Sequence, residues 1–338
     1  MNEHLKSLID DNTFNEPIEE IKETHISYIF LTKNYAYKIK KDAKYSFLDY
    51  STLDKREFYC REELRINKLL SPEIYIKVSS LTDKEGRLIL SNDGLPLEYT
   101  VVMKRIPEKY IMRNLLEKNK INKDILEEIA IKILAFHKRT KVDYHGKYGS
   151  VQNFKNNLMD NFKDLECFIG DLFSNDEFNI LVARNLDFIN SNILLFDKRV
   201  KKGKILETHG DLHSGNIFVT PENIYIFDAI EFNPAINTTD VAAEIAFLCM
   251  DLEFLGKDEL SRIFSNKYIS ESGDKEIEKL LSFYKGYRAC VRAKVNGYRA
   301  AVDRSAKELT KKYFYLALKY SEELQWMPRK QLIRSGHI

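Results

Sequence analysis

Cysteine is scarce in this sequence, with four residues among 338 and no two of them in a C-x-x-C pair. That spacing argues against a structural zinc site, a redox motif or a disulfide, so we expect buried thiols. Formal charges nearly cancel to +2, which gives no overall attraction to nucleic acid, membranes or strongly acidic partners. No apolar run is long enough to cross a bilayer, and 1–11 lacks the apolar centre of a signal peptide. We therefore expect a globular, cytoplasmic protein.

Glycine-rich phosphate loops are also missing, since neither G-x-x-x-x-G-K-[ST] nor G-x-G-x-x-G occurs in the chain. The first absence excludes a P-loop nucleotide site. The second means that any cover over phosphates must use backbone amides or hydroxyl groups in place of glycines. No internal repeat or low-complexity tract is present. With 44% hydrophobic and 31% charged residues, the chain is able to form a well-buried core in two lobes or domains.

The segment 209–217 reads HGDLHSGNI, and Asp228 follows the apolar run 224–227. Phosphoryl transfer needs an acid that orients a hydroxyl group, together with oxygen ligands for magnesium-bound ATP. Asp211 fits the first role, while Asn216 and Asp228 offer the neutral and anionic oxygens that Mg²⁺ prefers. Two glycines in the segment allow a short loop to bring these side chains together. The pattern predicts Asp211 as the catalytic residue and Asn216 and Asp228 as magnesium ligands.

Two other interpretations of this segment stay open. Asp, Asn, Ser and Gly are common in loops for backbone reasons alone, so Asp211 and Asn216 also fit ordinary turn positions. His209, Asp211 and His213 alternate, and imidazole with carboxylate at every second position suits zinc or iron. The metal interpretation explains neither Asn216 nor Asp228, and no other His-rich stretch supplies further ligands. We therefore favour phosphoryl transfer.

Hydrophobic periodicity predicts the regular elements around these residues. They are, in order, a strand hairpin over 20–41 turning at 33–34, a helix over 52–70, strands over 73–80 and 99–103 with turns at 83–94 between them, and a helix over 126–137. Ser51 or Thr52 can cap the first helix. Glu63 lies within the apolar stripe of that helix, where a carboxylate needs a cation; Glu62 is the runner-up. On an exposed face, either acid would pair with neighbouring arginines instead.

Two charged intervals favour opposite partners. Acids outnumber bases over 151–197, which would suit a wall against a cationic acceptor, and solvated helix faces explain these acids equally well. The segment 287–304 alternates apolar residues with arginine and lysine at helical spacing, which gives a basic face. Such a face is more often salt-paired surface than a nucleic-acid site. We expect neither a nucleic-acid partner nor a membrane partner.

The segment 209–217 with Asp228 resembles the aminoglycoside phosphotransferase and choline kinase-like group, which has the protein-kinase-like fold. The residues 228–232, DAIEF, depart from the D-F-G of protein kinases and approach the D-x-x-x-F of the small-molecule group. The chain most resembles an uncharacterised bacterial family whose longer members add a P-loop domain labelled gluconate kinase. Because no P-loop occurs here, we expect the chain to correspond to the first domain standing alone.

The resemblance implies an α+β, two-lobed protein-kinase-like fold. Residues 1–103 would form a small, mainly antiparallel β N-terminal lobe with one helix, which binds the nucleotide. Residues 104–338 would form a larger, mainly helical C-terminal lobe for catalysis and substrate binding. ATP and Mg²⁺ are the implied cofactors, and a small molecule with a hydroxyl group is the implied partner.

The resemblance also assigns roles to residues outside the loop. Lys38, with Lys40 and Lys41 as rivals, would be the strand lysine that contacts the phosphates, and Glu63 would pair with it. Asp240 would steady the catalytic loop, and its position also suits the start of a helix. The other implied site residues are Ser27 in a turn over the phosphates (24–27), Met103 and Arg105 in a segment (103–106) whose backbone brackets the adenine, and His209 beside the catalytic loop.

We therefore expect an ATP- and magnesium-dependent phosphotransferase that moves the γ-phosphoryl group to a hydroxyl of a small molecule. An amino sugar, a sugar or a choline-like metabolite is the expected class of acceptor. A protein serine/threonine kinase is the alternative among enzymes, and the lack of D-F-G disfavours it. A nucleotide-binding regulator without turnover is the alternative outside enzymes, and the glycine-poor turn over the phosphates keeps it open.

Overall fold

The computed structural model describes residues 6–10, 13–45, 47–300 and 303–324. Part of the segment 1–11, which lacks the apolar centre of a signal peptide, lies outside these residues. Positions 301 and 302 of the basic segment also lie outside them. The chain divides into two compact units, Met1–Lys141 with Glu207–Thr238 and Val142–Leu206 with Thr239–Ile338. The predicted lobes, 1–103 and 104–338, were divided at an expected hinge, whereas the two units are divided by their compactness. The predicted boundary therefore stays a prediction.

A six-stranded antiparallel sheet dominates the first unit. The strands are β1 (Ile18–Glu23), β2 (Ser27–Thr32), β3 (Tyr35–Lys40), β4 (Lys44–Tyr45), β5 (Leu48–Asp49), β6 (Tyr75–Lys84), β7 (Arg87–Leu90), β8 (Pro96–Lys104), β9 (Ile205–Glu207), β10 (Ile217–Val219), β11 (Ile224–Ile226) and β12 (Thr238–Asp240). The order in the sheet is β1-β2-β3-β8-β6-β7. Two pairs of short strands, β4 with β5 and β10 with β11, form hairpins.

Alternation along β3 divides its side chains between two environments. Tyr37 and Ile39 are buried in an apolar cluster on one face of the sheet. Ala36, Lys38 and Lys40 lie on the opposite face, where the first two line a cavity. The residues that complete the apolar cluster are Phe14, Tyr28, Phe30, Leu81, Leu88 and Val102. The period of two therefore decides which lysines face the cavity side of the sheet.

The helices are α1 (Leu53–Leu70), α2 (Met112–Glu117), α3 (Lys123–His137), α4 (Val151–Leu165), α5 (Asn175–Ser191), α6 (Ile193–Lys201), α7 (Pro234–Asn237), α8 (Val241–Phe254), α9 (Asp258–Ser272), α10 (Ile277–Gly297) and α11 (Arg304–Glu323). Helix α1 packs on β6 and β8 of the first unit. The Thr52 hydroxyl caps it by accepting from Lys55 N at 3.3 Å. The predicted helix over 52–70 is thus confirmed.

The second unit is built mainly from helices around α8, whose residues from Val241 to Leu252 are all buried. Helices α9 and α10 pack against α8, and α10 also packs against α4 and α11. The predicted α+β fold, with an antiparallel sheet first and helices after it, is confirmed. Among the described residues, no helix has both the length and the apolar composition to span a membrane.

Two sequence predictions differ from the structure. The interval 83–94, predicted as turns, contains β7, which pairs with β6 across Glu85 and Gly86. Both turn residues have left-handed φ values of 56° and 80°, which suit a tight hairpin. The basic segment 287–304 is not one helix, since α10 ends at Gly297 and α11 begins at Arg304. Apolar periodicity continued through this break, so it did not reveal the end of the helix.

Candidate active site

Lys38 joins two carboxylates that are distant in sequence. Its Nζ lies 2.9 Å from Glu63 Oε1 on α1 and 2.5 Å from Asp228 Oδ1, which follows β11. The Glu63 side chain is fully buried, the Lys38 side chain is 11% exposed, and the Asp228 side chain is 49% exposed. The Lys38–Glu63 ion pair predicted from the sequence is therefore present, and Asp228 offers an accessible carboxylate beside it.

These charges stabilise each other against the cost of burial. Burial by itself lowers the pKa of Lys38, but the charges of Asp228 and Glu63 raise it well above its ordinary value. Burial raises the pKa of Glu63, and the charges of Lys38 and Lys40 outweigh that effect and lower it. Their mutual attraction therefore favours the charged form of both side chains, the ammonium of Lys38 and the carboxylate of Glu63.

The backbone at Asp228 has a φ of 64°, in the left-handed region that non-glycine residues rarely occupy. Two buried side chains hold it there. The Tyr75 hydroxyl accepts a hydrogen bond from Asp228 N at 3.0 Å, and Asn67 Oδ1 accepts one from Ala229 N at 2.9 Å. A strained conformation persists only where its surroundings enforce it, so these two bonds fix the backbone from which the Asp228 side chain extends.

Replacing Tyr75 by phenylalanine should therefore destabilise the chain by about 1–3 kcal/mol, because the Asp228 amide loses its acceptor. Urea unfolding measures this loss, and hydrogen exchange at the Asp228 amide should become faster in the variant. Tyr35→Phe is the control, since Tyr35 is on the same sheet and 37% exposed, and it should change stability by less than about 0.5 kcal/mol. Equal stabilities of the two variants would contradict the role of Tyr75.

The segment 209–217 forms a loop tied together by its own polar groups. His209 Nδ1 accepts from Asp211 N at 3.2 Å, so its Nε2 carries the proton and donates to Phe227 O at 2.8 Å. The Asn216 amide donates to Asp211 O at 3.0 Å and to Asp211 Oδ2 at 3.1 Å. Asn216 O in turn accepts from Phe227 N at 3.0 Å. These bonds link Asp211 and Asn216 to the residue that precedes Asp228.

The zinc or iron interpretation of His209, Asp211 and His213 is wrong. Both ring nitrogens of His209 are engaged by backbone groups, and His213 Nδ1 accepts from Gly215 N at 3.0 Å. His213 Nε2 lies 3.4 Å from Asp211 Oδ2. Across the ranges that the structure describes, no three His, Cys, Asp or Glu side chains are grouped to hold a metal ion.

A cavity of about 560 Å³ lies in the first unit, and Lys38 and Asp228 form one part of its wall. Apolar side chains form its interior, and charged residues of β1 and the segment after β8 lie at other parts of the wall. The apolar lining residues are Ile29, Leu31, Ala36, Ile74, Met103, Ile106, Pro107, Ile111, Phe218 and Phe227. Its volume is that of a site for a ligand of nucleotide size. Asp211 and Asn216 are not among the lining residues.

Met103 and Arg105 both line this cavity, but the Arg105 backbone is already engaged. Arg105 N donates to Asn34 O at 2.9 Å, and its guanidinium group binds Glu19 and the Thr32 carbonyl. No acceptor for the Ile106 amide is found within the described part of the chain. The Ile106 amide is thus available as a backbone donor, and the contact of Met103 and Arg105 with adenine stays a prediction.

Ser27 is buried and does not line the cavity. Its amide donates to the Thr24 hydroxyl at 2.9 Å, and that hydroxyl lies 3.2 Å from the Ser27 carbonyl. Both groups therefore serve to close the turn between β1 and β2. The contact of Ser27 with phosphates stays a prediction.

Asp240 opens α8, where its carboxylate accepts from Ala242 N at 2.8 Å. The same carboxylate binds the fully buried Arg199 through two contacts of 2.5 Å and 2.7 Å. Arg199 also donates to Asp274 at 3.0 Å and 3.2 Å. The predicted helix-start role is confirmed, whereas the expected effect of Asp240 on the catalytic loop stays a prediction.

Sequence reasoning missed three buried polar residues around Lys38 and Asp228, which are Asn67, Tyr75 and Glu231, and undervalued a fourth, Lys40. Asn67 lies one turn beyond Glu63 on the same face of α1, so the helical period was a usable signal. Lys40 lies on the same face of β3 as Lys38, which the strand period also shows, although it was weighed only as a rival. Tyr75 and Glu231 carry no local signal, because their partners are more than 150 residues away.

The acidic interval and the basic segment bind each other within the second unit. Asp164 lies 3.6 Å from Lys294 and accepts from the Tyr298 hydroxyl at 2.8 Å, and Asp171 lies 2.7 Å from Lys307, just beyond the basic segment on α11. Arg288 is buried and donates to the Ala243 carbonyl. For these residues the structure supports salt-paired helix surfaces over an acceptor wall or a nucleic-acid face.

No family model matches the chain. Curated relatives are uncharacterized proteins of Mycobacterium bovis and Mycobacterium tuberculosis, which are 30% identical to this chain over 288 residues. The match covers 84% of this chain and 56% of each relative, so the chain spans about half the length of the curated relatives it matches.

Solved structures resemble the chain in fold at low sequence identity. APH(2")-IIia, in a complex with GDP and kanamycin, matches with a TM-score of 0.55 at 11% identity, covering 96% of this chain and all of that one. A choline/ethanolamine kinase family protein of Mesorhizobium loti matches at 0.54 and 11% over 91% and 93% of the chains. Choline kinase of Cryptosporidium parvum matches at 0.54 and 13% over 90% and 89%. The chain therefore has the two-lobed, protein-kinase-like α+β fold of these phosphotransferases.

Proposed function

We propose that this chain is a small-molecule kinase, which transfers the γ-phosphoryl group of ATP to a hydroxyl group with the help of Mg²⁺. The observation that carries the proposal is the position of Lys38. Its ammonium group binds both Glu63 and Asp228 at the wall of an apolar cavity of about 560 Å³. A lysine paired with a helix glutamate beside a metal-binding aspartate is the arrangement that phosphoryl transfer in this fold requires.

The nucleotide base is assigned to the apolar part of the cavity, where the Ile106 amide is the available backbone donor. Lys38 would then contact the phosphates. The solved APH(2")-IIia structure contains GDP, which supports a nucleotide site in this fold and makes GTP a second nucleotide to test.

Asp228 and Asn216 offer oxygen donors that fit Mg²⁺, which prefers one or two carboxylates supplemented by phosphate oxygens and water. Asp228 supplies an accessible carboxylate, and Asn216 supplies an amide whose nitrogen is already bound to Asp211, so its oxygen is the remaining ligand atom. When bound, the ion neutralises charge on the phosphates. Lys38 would exchange Asp228 for a phosphate oxygen, because both acceptors compete for the same ammonium group.

Asp211 is assigned the orientation of the acceptor hydroxyl and the acceptance of its proton. Its carboxylate is 36% exposed and is held by Asn216. A small acceptor is favoured because 228–232 lack D-F-G and because the structural neighbours include choline kinase and a kanamycin complex. The acceptor classes to test are amino sugars, sugars and choline-like alcohols.

A regulator that binds nucleotide without turnover is the second candidate. The turn between β1 and β2 has no glycine, and Thr24 and Ser27 bind each other across it. Such a turn offers fewer free amides to phosphates than a glycine-rich loop does.

Calorimetry with ATP, GTP and Mg²⁺, followed by nucleotide-consumption assays over an acceptor panel, tests the proposal. Lys38→Met should weaken nucleotide binding about 10- to 100-fold, because a charged hydrogen bond to phosphate is worth about 1.5–3 kcal/mol. Lys41→Met is the matched control, since Lys41 follows the same strand and binds Glu23 at 2.6 Å; it should leave affinity unchanged. Nucleotide binding without acceptor-stimulated turnover would favour the regulator, and equal affinities of both variants would contradict the assigned site.

A further inference from the structure

Lys40 shares the Glu63 carboxylate with Lys38. The two lysines are two residues apart on β3, so their side chains lie on the same face of the sheet. Lys38 Nζ lies 2.9 Å from Glu63 Oε1, and Lys40 Nζ lies 2.8 Å from Glu63 Oε2. The Lys40 side chain is only 1% exposed and does not line the cavity. A ligand in the cavity therefore contacts Lys38, whereas Lys40 is buried away from the cavity.

Glu231 is the second partner of Lys40. Its Oε1 accepts hydrogen bonds from Lys40 Nζ and from the Tyr50 hydroxyl, the latter at 2.6 Å. Lys40 Nζ also lies 4.8 Å from the centre of the Tyr50 ring. A buried ion pair rarely stabilises a fold more than apolar residues would, since desolvation of both charges offsets their attraction. A gain in net stability thus does not explain why Lys40 and Glu231 are paired. Control of the position of the Glu231 segment does explain it.

The position that Glu231 controls is the segment directly after Asp228. Ala229 N donates to Asn67 Oδ1 and Ile230 N donates to His209 O, each at 2.9 Å. With the Glu231 side chain bound to Lys40, three consecutive residues after Asp228 are anchored. This anchoring opposes relaxation of the left-handed backbone at Asp228.

Charge balance gives Lys40 a second effect. In the proposed reaction, Lys38 leaves Asp228 and moves toward the phosphates, which weakens its contact with Glu63. Glu63 is fully buried, and an unpaired buried carboxylate is strongly unfavourable. Lys40 keeps Glu63 paired throughout, and Glu231 keeps Lys40 in place.

We propose that Lys40 and Glu231 form a positioning pair, which holds Asp228 for Mg²⁺ and lets Lys38 transfer its contact from Asp228 to the phosphates. This inference rests on the proposed function. Neither residue touches the reacting atoms; Lys40 acts through Glu63, and Glu231 acts through the backbone after Asp228. Loss of such outer partners of a metal ligand typically lowers metal affinity about 10- to 100-fold.

The experiment measures nucleotide affinity by calorimetry at increasing Mg²⁺ in the full chain and in Glu231→Gln, Lys40→Met and the double variant. Each variant should need about tenfold more Mg²⁺ for half-maximal affinity, and excess Mg²⁺ should restore it. The double variant should be no worse than the worse single variant, because the two residues act as a unit. Without metal or nucleotide, hydrogen exchange at Ala229 and Ile230 should be faster in all three variants.

Glu98→Gln is the matched control, since Glu98 is a buried carboxylate of the same unit, 2.9 Å from Arg56. It should lower the thermal unfolding temperature and leave the Mg²⁺ requirement unchanged.

The conservative Glu231→Gln keeps the test valid should Lys40→Met fail to fold. An unchanged Mg²⁺ requirement in Glu231→Gln, or an equal shift in Glu98→Gln, overturns the inference. Absence of nucleotide binding by the wild type at every Mg²⁺ concentration refutes the proposed function, and the inference with it.

Discussion

Replacement of Asp211 by asparagine is expected to lower acceptor-dependent phosphoryl transfer by about 10²- to 10⁴-fold, the usual contribution of a positioned general base. Asparagine has nearly the same shape and can still meet Asn216 and His213, but it does not accept a proton at neutral pH. Nucleotide affinity should stay close to wild type, because Asp211 does not line the cavity. This separation of turnover from binding distinguishes a catalytic residue from one that supports the fold.

The measurement is product formation with the best acceptor of the panel, together with nucleotide affinity by calorimetry. Asp93→Asn supplies the control, because it is the same substitution of aspartate by asparagine at an exposed bend. Full turnover in Asp211→Asn would remove the central catalytic assignment. A parallel loss of nucleotide affinity would instead indicate that the substitution disturbs the loop as a whole.

Replacement of Arg199 by methionine should destabilise the chain by about 3–5 kcal/mol. The guanidinium group is fully buried and binds the carboxylates of Asp240 and Asp274 at 2.5–3.2 Å. Although burial lowers the pKa of Arg199, the two carboxylates raise it above its ordinary value. Methionine fills much of the same volume, so the cost arises chiefly from the buried Asp240 carboxylate, which loses its cation, and from Asp274, which keeps only Lys204 at 3.3 Å.

Urea unfolding of Arg199→Met measures this cost, and Arg299→Met is the comparison within the same unit. Arg299 forms an exposed pair with Asp303 at 3.1 Å, and its removal should change stability by less than about 0.5 kcal/mol. A cost for Arg199→Met no larger than that of Arg299→Met would show that Asp240 and Asp274 do not depend on this arginine.

Local patterns predicted the parts of the candidate site that lie close together in sequence. Asp211 and Asn216 are five residues apart in one loop, and Asn216 binds Asp211 within that loop. The helix that carries Glu63 follows from its cap and its period, and the buried acid on its apolar face indicates a cationic partner. These inferences succeed because backbone geometry alone decides which neighbours share a face or a turn.

The same reasoning does not choose among several cations for one buried acid. Lys40 and Lys41 were rivals of Lys38 for the role of phosphate-contacting lysine, and the structure pairs both Lys38 and Lys40 with Glu63 and Lys41 with Glu23. Charge counting left two interpretations open for a similar reason, and the structure favours salt-paired surfaces, since Asp164 of the acidic interval lies 3.6 Å from Lys294 of the basic segment. Composition gives the number of charges in a segment, but it does not show which of them form ion pairs.

The sequence by itself determined the polar pattern of the loop 209–217, the position of Glu63 on its helix and the alternation of β3 that places Lys38 and Lys40 on one face. Only the tertiary structure decided that Tyr75 and Asn67 hold the backbone around Asp228 and that Glu231 binds Lys40. These partners are 153 to 191 residues apart. Helical and strand periods act over a few residues, whereas contacts at such separations arise from the packing of whole elements against one another.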